Sequence, residues 1–161
     1  MPKINKPLTE AELYSRLSRQ CSLSEYAPSD IRQKVIRAGL GSSVAERIID
    51  RLSDEGYINE ERYIRAFVHD KFELNHWGRR KIEAALYQKG LRGAKVQDVL
   101  ADIDEERYVS ILSDILHAKD KTRSPADQQE RFQKLLSFAA ARGFEPQVAY
   151  SVLSSMISNG E

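Results

Sequence analysis

One cysteine, Cys21, is all the chain carries. It excludes an intramolecular disulfide and any zinc centre built on several thiolates. Nothing approaches the ~18 consecutive apolar residues of a membrane span. The opening MPKINKPLTEAEL lacks the apolar stretch of a secretory leader. Strand signals are as scarce: no Asn-Gly or Asp-Gly pair joins two strand-like runs, and β-branched residues do not alternate. Net charge is nearly missing, with 25 Lys and Arg against 24 Asp and Glu. With 161 residues, 41% of them hydrophobic, the chain is too apolar for disorder and long enough to bury a core. These absences together lead us to expect a cytoplasmic, helical, one-core protein without a membrane segment.

The five prolines and eight glycines fall mostly where helices should begin or end. Pro28, Pro125 and Pro146 stand near helix starts, and Gly39, Gly56, Gly90 and Gly143 follow amphipathic runs. The pattern predicts helices over 9–22, 29–38, 43–55, 59–73, 79–89, 93–102, 104–119, 125–142 and 145–157. The polar stretch HAKDKTRSPAD (117–127) reads as a joint.

Self-similarity is the strongest signal. IRQKVIRAGL (31–40) aligns without a gap on IEAALYQKGL (82–91) and more weakly on LLSFAAARGF (135–144). In the helices that follow, Ile48, Val99 and Val152 superpose, then Ile49, Leu100 and Leu153, then Leu52, Ile103 and Met156. INEERYI (58–64) and IDEERYV (103–109) are nearly one string, each opening on a helix-capping residue, Asn59 or Asp104; Thr9 plays that part first. The expected inward stripes are Tyr63, Ile64 and Phe67 in one leading helix, and Tyr108, Val109 and Leu112 in the next. The repeats divide the chain into a tail (1–8), three-helix units at 9–57, 58–103 and 104–157, and a second tail (158–161). Units of this size are marginal alone and lean on their neighbours.

Enzyme signatures are missing. No phosphate loop occurs, and Gly39-Leu40-Gly41 lacks the third glycine of a dinucleotide fingerprint. His69, His76 and His117 form no metal-binding pattern. Cys21 reads as a small buried hydrophobe. The pairs Glu60-Glu61 and Glu105-Glu106 sit where a helix dipole favours acids. We therefore expect no catalytic, cofactor-binding or metal-ligating residues, and a protein that is not an enzyme.

Charge is segregated. Residues 62–95 carry nine basic side chains against three acidic ones, a net +6 in a chain whose total is +1. Such a surface suits phosphate backbones or an acidic protein groove. With Tyr63, Ile64 and Phe67 inward, Arg62, Arg65 and His69 face outward; with Ile82, Ala85 and Leu86 inward, Arg80, Ala84 and Tyr87 face outward and Lys81 flanks them. Trp77 precedes that helix as either an exposed anchor or a hydrophobic staple.

At these residues the sequence resembles the RecX family of bacterial recombinase regulators. The likeness lies in GYINEERYIRAFVHDKFELNHWGRRKIEAALYQKGL (56–91): Gly56-Tyr57-Ile58, Arg62-Tyr63, Phe67, Gly78, Ile82, Leu86 and Lys89-Gly90-Leu91. It departs from the family pattern before the loop glycine, where Lys71 is followed by Phe72, Glu73, Leu74 and Asn75 rather than by a basic residue. The resemblance implies an all-α fold, an elongated array of three tandem three-helix repeats, with no cofactor. It implies binding in the groove of the RecA–DNA filament, and inhibition of strand exchange, ATP hydrolysis and SOS-repressor cleavage. Together with the charge pattern it nominates Arg62, Arg65, Arg79, Arg80 and Lys81 for filament binding, with Trp77 as an anchor and Lys71, Lys89 and Arg92 in support. Single- or double-stranded DNA would be a weak direct ligand. The alternative is a DNA-binding protein of homeodomain-like modules, against which stand the near-neutral charge and the lack of a base-reading helix rich in Arg, Asn and Gln.

Overall fold

The computed structural model describes residues 8–120 and 128–158. Among them are nine α-helices and no strand: α1 (Glu10–Leu23), α2 (Pro28–Arg37), α3 (Ser42–Asp54), α4 (Glu60–Glu73), α5 (Arg79–Gln88), α6 (Ala94–Ala101), α7 (Glu105–Asp120), α8 (Gln128–Ala141) and α9 (Pro146–Ser158). The expected caps are in place. Thr9 Oγ1 accepts from the Glu12 amide at 3.1 Å, Asn59 Oδ1 from Arg62 at 2.8 Å, and Asp104 Oδ2 from Arg107 at 2.9 Å. The expected joint at 117–127 begins as helix, since α7 runs through Asp120; its remainder, with Pro125, lies outside the described residues, as do 1–7 and 159–161 of the two tails.

Instead of one core, packing groups the chain into two compact units: Met1–Ala66 with Lys89–Leu91, and Phe67–Gln88 with Arg92–Glu161. The repeats divide the chain by sequence; compactness gathers the same helices differently. In the first unit α3 packs on α1 and α2. Its core holds Leu13, Leu17, Cys21, Ile31, Val35, Ile48 and Leu52, so Cys21 is the buried hydrophobe expected of it. In the second unit α5 packs on α6, and α7, α8 and α9 pack on one another. The aligned apolar positions are buried, Ile48, Val99 and Val152 among them, while Ile103 is only half-buried.

Two inward assignments shift. Tyr108 and Leu112 are fully buried, but Val109 is 37% exposed and Ile111 and Leu116 take its place. In α4, Val68 and Phe72 are buried and Phe67 is half-exposed. A residue adjacent to a buried one lies 100° around the helix, so a neighbour at the stripe's edge turns out when the covering helices centre on positions three and four apart.

Candidate functional site

The second unit builds its basic face around the start of α5. α4 ends in a turn where His76 takes φ +57, and the Trp77 amide donates to the Lys71 carbonyl at 2.9 Å. That closure lays Trp77 against two ammonium groups. Lys71 Nζ is 4.8 Å and Lys81 Nζ 4.5 Å from the indole centroid. Trp77 is half-buried, so the indole is both packed and presented. Arg80 is exposed on the next turn and lines a shallow depression with Glu83, Ala84, Tyr87 and Gln88. Tyr87 is 56% exposed, and the Arg92 guanidinium stands 5.7 Å from its ring. Lys71, Arg80, Lys81 and Arg92 make no ion pair with a carboxylate among the described residues.

Two glycines hold this face in position. The Gly78 amide donates to the Arg142 carbonyl at 2.8 Å, and the Arg80 amide to the Gly143 carbonyl at 2.9 Å. The backbones approach so closely that a β-carbon on Gly78 would stand 2.4 Å from the Gly143 carbonyl carbon. The α8–α9 turn is thereby docked on the first turn of α5, where the dipole would otherwise favour acids rather than Arg79, Arg80 and Lys81.

Arg79, nominated for filament binding, is instead engaged in internal contacts. Its guanidinium lies 4.0 Å from the centre of the Tyr108 ring and donates to the Leu100 carbonyl at 3.1 Å, to Glu145 Oε2 at 3.0 Å and to Glu105 Oε2 at 2.8 Å. Its amide donates to Tyr108 Oη at 3.0 Å, and Tyr108 in turn donates to Glu145. Tyr108 itself packs between Phe72 and Phe144, at centroid distances of 5.7 and 5.0 Å. Arg79 therefore ties α5 to α7 and α9. The partners lie far away in sequence, Glu145 being 66 residues on, and no local pattern announces them.

Burial opposes ionisation of Glu145, but the hydrogen bonds from Tyr108 and Arg79 outweigh it and hold the carboxyl below its ordinary value. Burial and the same carboxylate push the Tyr108 phenol up. A carboxyl with a depressed folded-state pKa stabilises the fold above its unfolded value of about 4.3, and that contribution is lost as pH falls through the folded pKa. We expect Glu145→Gln to cost about 1–2 kcal/mol at neutral pH. Melting curves of parent and variant should converge as pH falls below about 4. A gap that stays constant with pH would contradict the assignment.

The remaining nominees belong to the first unit. Arg62 is ion-paired with Glu25 and donates to the Gly56 and Tyr57 carbonyls, each at 3.2 Å. Arg65 pairs with Glu61 one turn back at 3.2 Å. Lys89 reaches Asp30 at 2.9 Å and stands 5.7 Å from the Tyr63 ring centre. Burial disfavours the Lys89 charge, yet the bonds to Asp30 and Tyr63 raise its pKa overall. The structure thus brings Lys71, Trp77 and Lys81 together, sets Arg80 beside them in sequence, and commits Arg79, Arg62 and Lys89 to internal contacts. No group of three His, Cys, Asp or Glu among the described residues is placed to hold a metal ion. No described helix is long and apolar enough to cross a membrane.

Residues 59–100, which contain α4, α5 and nearly all of α6, match the family model for the second three-helix domain of RecX. A regulatory protein RecX from Clostridioides difficile is 21% identical over 160 residues, covering 97% of this chain and 75% of that one. Another, from Thermus thermophilus, is 29% identical over 136 residues, covering 84% of this chain and 86% of its own. A crystal structure of regulatory protein RecX superposes with a TM-score of 0.81 at 21% identity, over 89% of this chain and 70% of that one. At that identity the superposition speaks for the all-helical fold. The domain match and the relatives that span most of the chain support the resemblance to the RecX family of regulatory proteins.

Proposed function

We propose that the protein binds the RecA filament on DNA and restrains its recombinase, ATPase and SOS co-protease activities. The contact is made by the basic face of the second unit: Lys71, Arg80, Lys81 and Arg92 with Trp77 as the apolar anchor. The observation that carries this reading is four cations without a carboxylate partner, two of which, Lys71 and Lys81, lie against the Trp77 indole, in the segment that matches the model for the second three-helix domain of RecX. A RecA–DNA filament is polyanionic, so unpaired cations steer association and add to affinity, whereas Arg79 acts by holding α5 in place. Co-sedimentation with RecA assembled on single-stranded DNA with a slowly hydrolysed nucleotide tests it. The protein should pellet with filaments and stay in the supernatant without RecA. A protein that never pellets with filaments contradicts the proposal.

The same chemistry favours one further ligand, since cations beside an indole also suit phosphates and unstacked bases. Free DNA should be bound weakly and without sequence preference. With four cations available, log affinity for duplex should fall against log salt with a slope no steeper than about −4. Tight binding to one duplex sequence at physiological salt would instead favour the homeodomain-like reading.

A further inference from the structure

The first unit carries a second basic surface, on α1, that the RecA reading does not use. Most arginines of the first unit are spent on a carboxylate. Arg32 pairs with Glu46 at 2.8 Å, Arg47 with Glu10 at 2.8 Å, and Arg51 with Glu55 at 3.1 Å. Arg62 and Arg65 are held by Glu25 and Glu61. Arg16 and Arg19 differ. Both are exposed on one face of α1, one turn apart, and reach no carboxylate among the described residues. They line a surface depression with Leu8, Glu12, Ser15 and Gln20. Leu23 continues the same face one turn beyond Arg19 and is 83% exposed, the most exposed large hydrophobic among the described residues.

We propose that this strip docks an acidic, amphipathic protein segment, whose carboxylates pair with Arg16 and Arg19 and whose apolar side chains cover Leu8 and Leu23. Charge complementarity selects the sign of the partner, and the planar guanidinium fork suits carboxylates held in two-point contact. The leucines select a protein over a nucleic acid. A phosphodiester backbone offers nothing apolar to a leucine left in water, and two arginines opposed by Glu12 make a poor track for it. Glu12 also fixes direction: the partner's acids lie toward Arg16 and Arg19, and its end beside Glu12 is neutral or basic. The surface is small, so the contact is transient and salt-sensitive.

The test uses the full chain and a fluorescein-labelled peptide of about 12 residues that alternates paired Glu with Leu and Phe, read by anisotropy. The peptide should bind the parent. Arg16→Glu with Arg19→Glu should weaken it at least about tenfold, and Leu23→Ser severalfold. These side chains are exposed, so the helical circular dichroism should not change. The doubly reversed variant should in turn prefer the matching peptide with Lys in place of Glu. Labelled oligothymidylate should bind parent and reversed variant alike, and Arg80→Glu with Lys81→Glu should leave peptide binding intact. No peptide binding to the parent, no rescue by the reversed peptide, or an equal loss of oligothymidylate binding would each overturn the proposal.

Discussion

Gly143→Ala is expected to unfold or nearly unfold the second unit, at a cost of about 3–5 kcal/mol, out of a total stability of about 5–15 kcal/mol for a domain. Two effects add. Gly143 sits at φ +96, where any side chain is strained by about 1 kcal/mol. Its new β-carbon would also stand 2.3 Å from Lys81 Cβ and 2.6 Å from the Lys81 amide nitrogen. Neither is the yielding end of a side chain, so α5 must retreat and lose the bonds that Gly78 and Arg80 make to the α8–α9 turn. Gly39→Ala is the control, because Gly39 has nearly the same φ, +88, and nothing within 4 Å of its added carbon. It should cost only about 1 kcal/mol. Trp77 is the chain's single tryptophan and belongs to the second unit, so its fluorescence reports that unit's melting selectively. Equal losses in the two variants would mean that the close approach of Gly78 and Gly143 contributes nothing.

Arg79→Glu is the second large effect. The substitution sets a carboxylate against Glu105 and Glu145, removes the cation over Tyr108, and leaves the Leu100 carbonyl without its donor. Removing one partner from a largely buried ion pair costs about 3–5 kcal/mol. Because Glu105 is well exposed, the lower half of that range is expected. Arg80→Glu, one residue along, alters an exposed side chain with no ion pair and should shift stability by no more than about 0.5 kcal/mol. Adjacent arginines of opposite consequence are the sharpest contrast in the structure. A similar loss at both positions, followed by the same tryptophan signal, would contradict the placement of Arg79.

How much of this was legible in the sequence follows from the range of each interaction. Helix boundaries depend on residues within a turn or two, so Thr9, Asn59, Asp104 and the glycines after each amphipathic run placed all nine helices to within a few residues. Repeats made the apolar positions redundant: Ile48, Val99 and Val152 support one another across three copies. The basic face was visible as a charge imbalance, and the outward setting of Arg80, Ala84 and Tyr87 followed from the 100° step. What could not be read was partnership. Arg79 and Arg80 are chemically identical neighbours, and only the arrival of Tyr108 from α7 and Glu145 from the α8–α9 turn separates a positioning arginine from a presented one. Gly78 likewise reads as a loop residue until Gly143 is found against it. The pairing of Arg62 with Glu25 and of Lys89 with Asp30 spans 37 and 59 residues, beyond any local pattern.

These partnerships change how the proposed binding face should be probed. A reversal that includes Arg79 would confuse loss of binding with loss of fold. Arg80→Glu combined with Lys81→Glu leaves the Arg79 network intact and reverses two charges on or beside the Trp77 cluster. The decisive measurement is ATP hydrolysis by RecA on single-stranded DNA, titrated with parent and with this double variant. The parent should inhibit, and the variant should need at least tenfold more protein for the same inhibition, about 1.4 kcal/mol of binding free energy, with an unchanged tryptophan melt. A parent that leaves hydrolysis untouched, or a double variant that inhibits as well as the parent, would contradict the account.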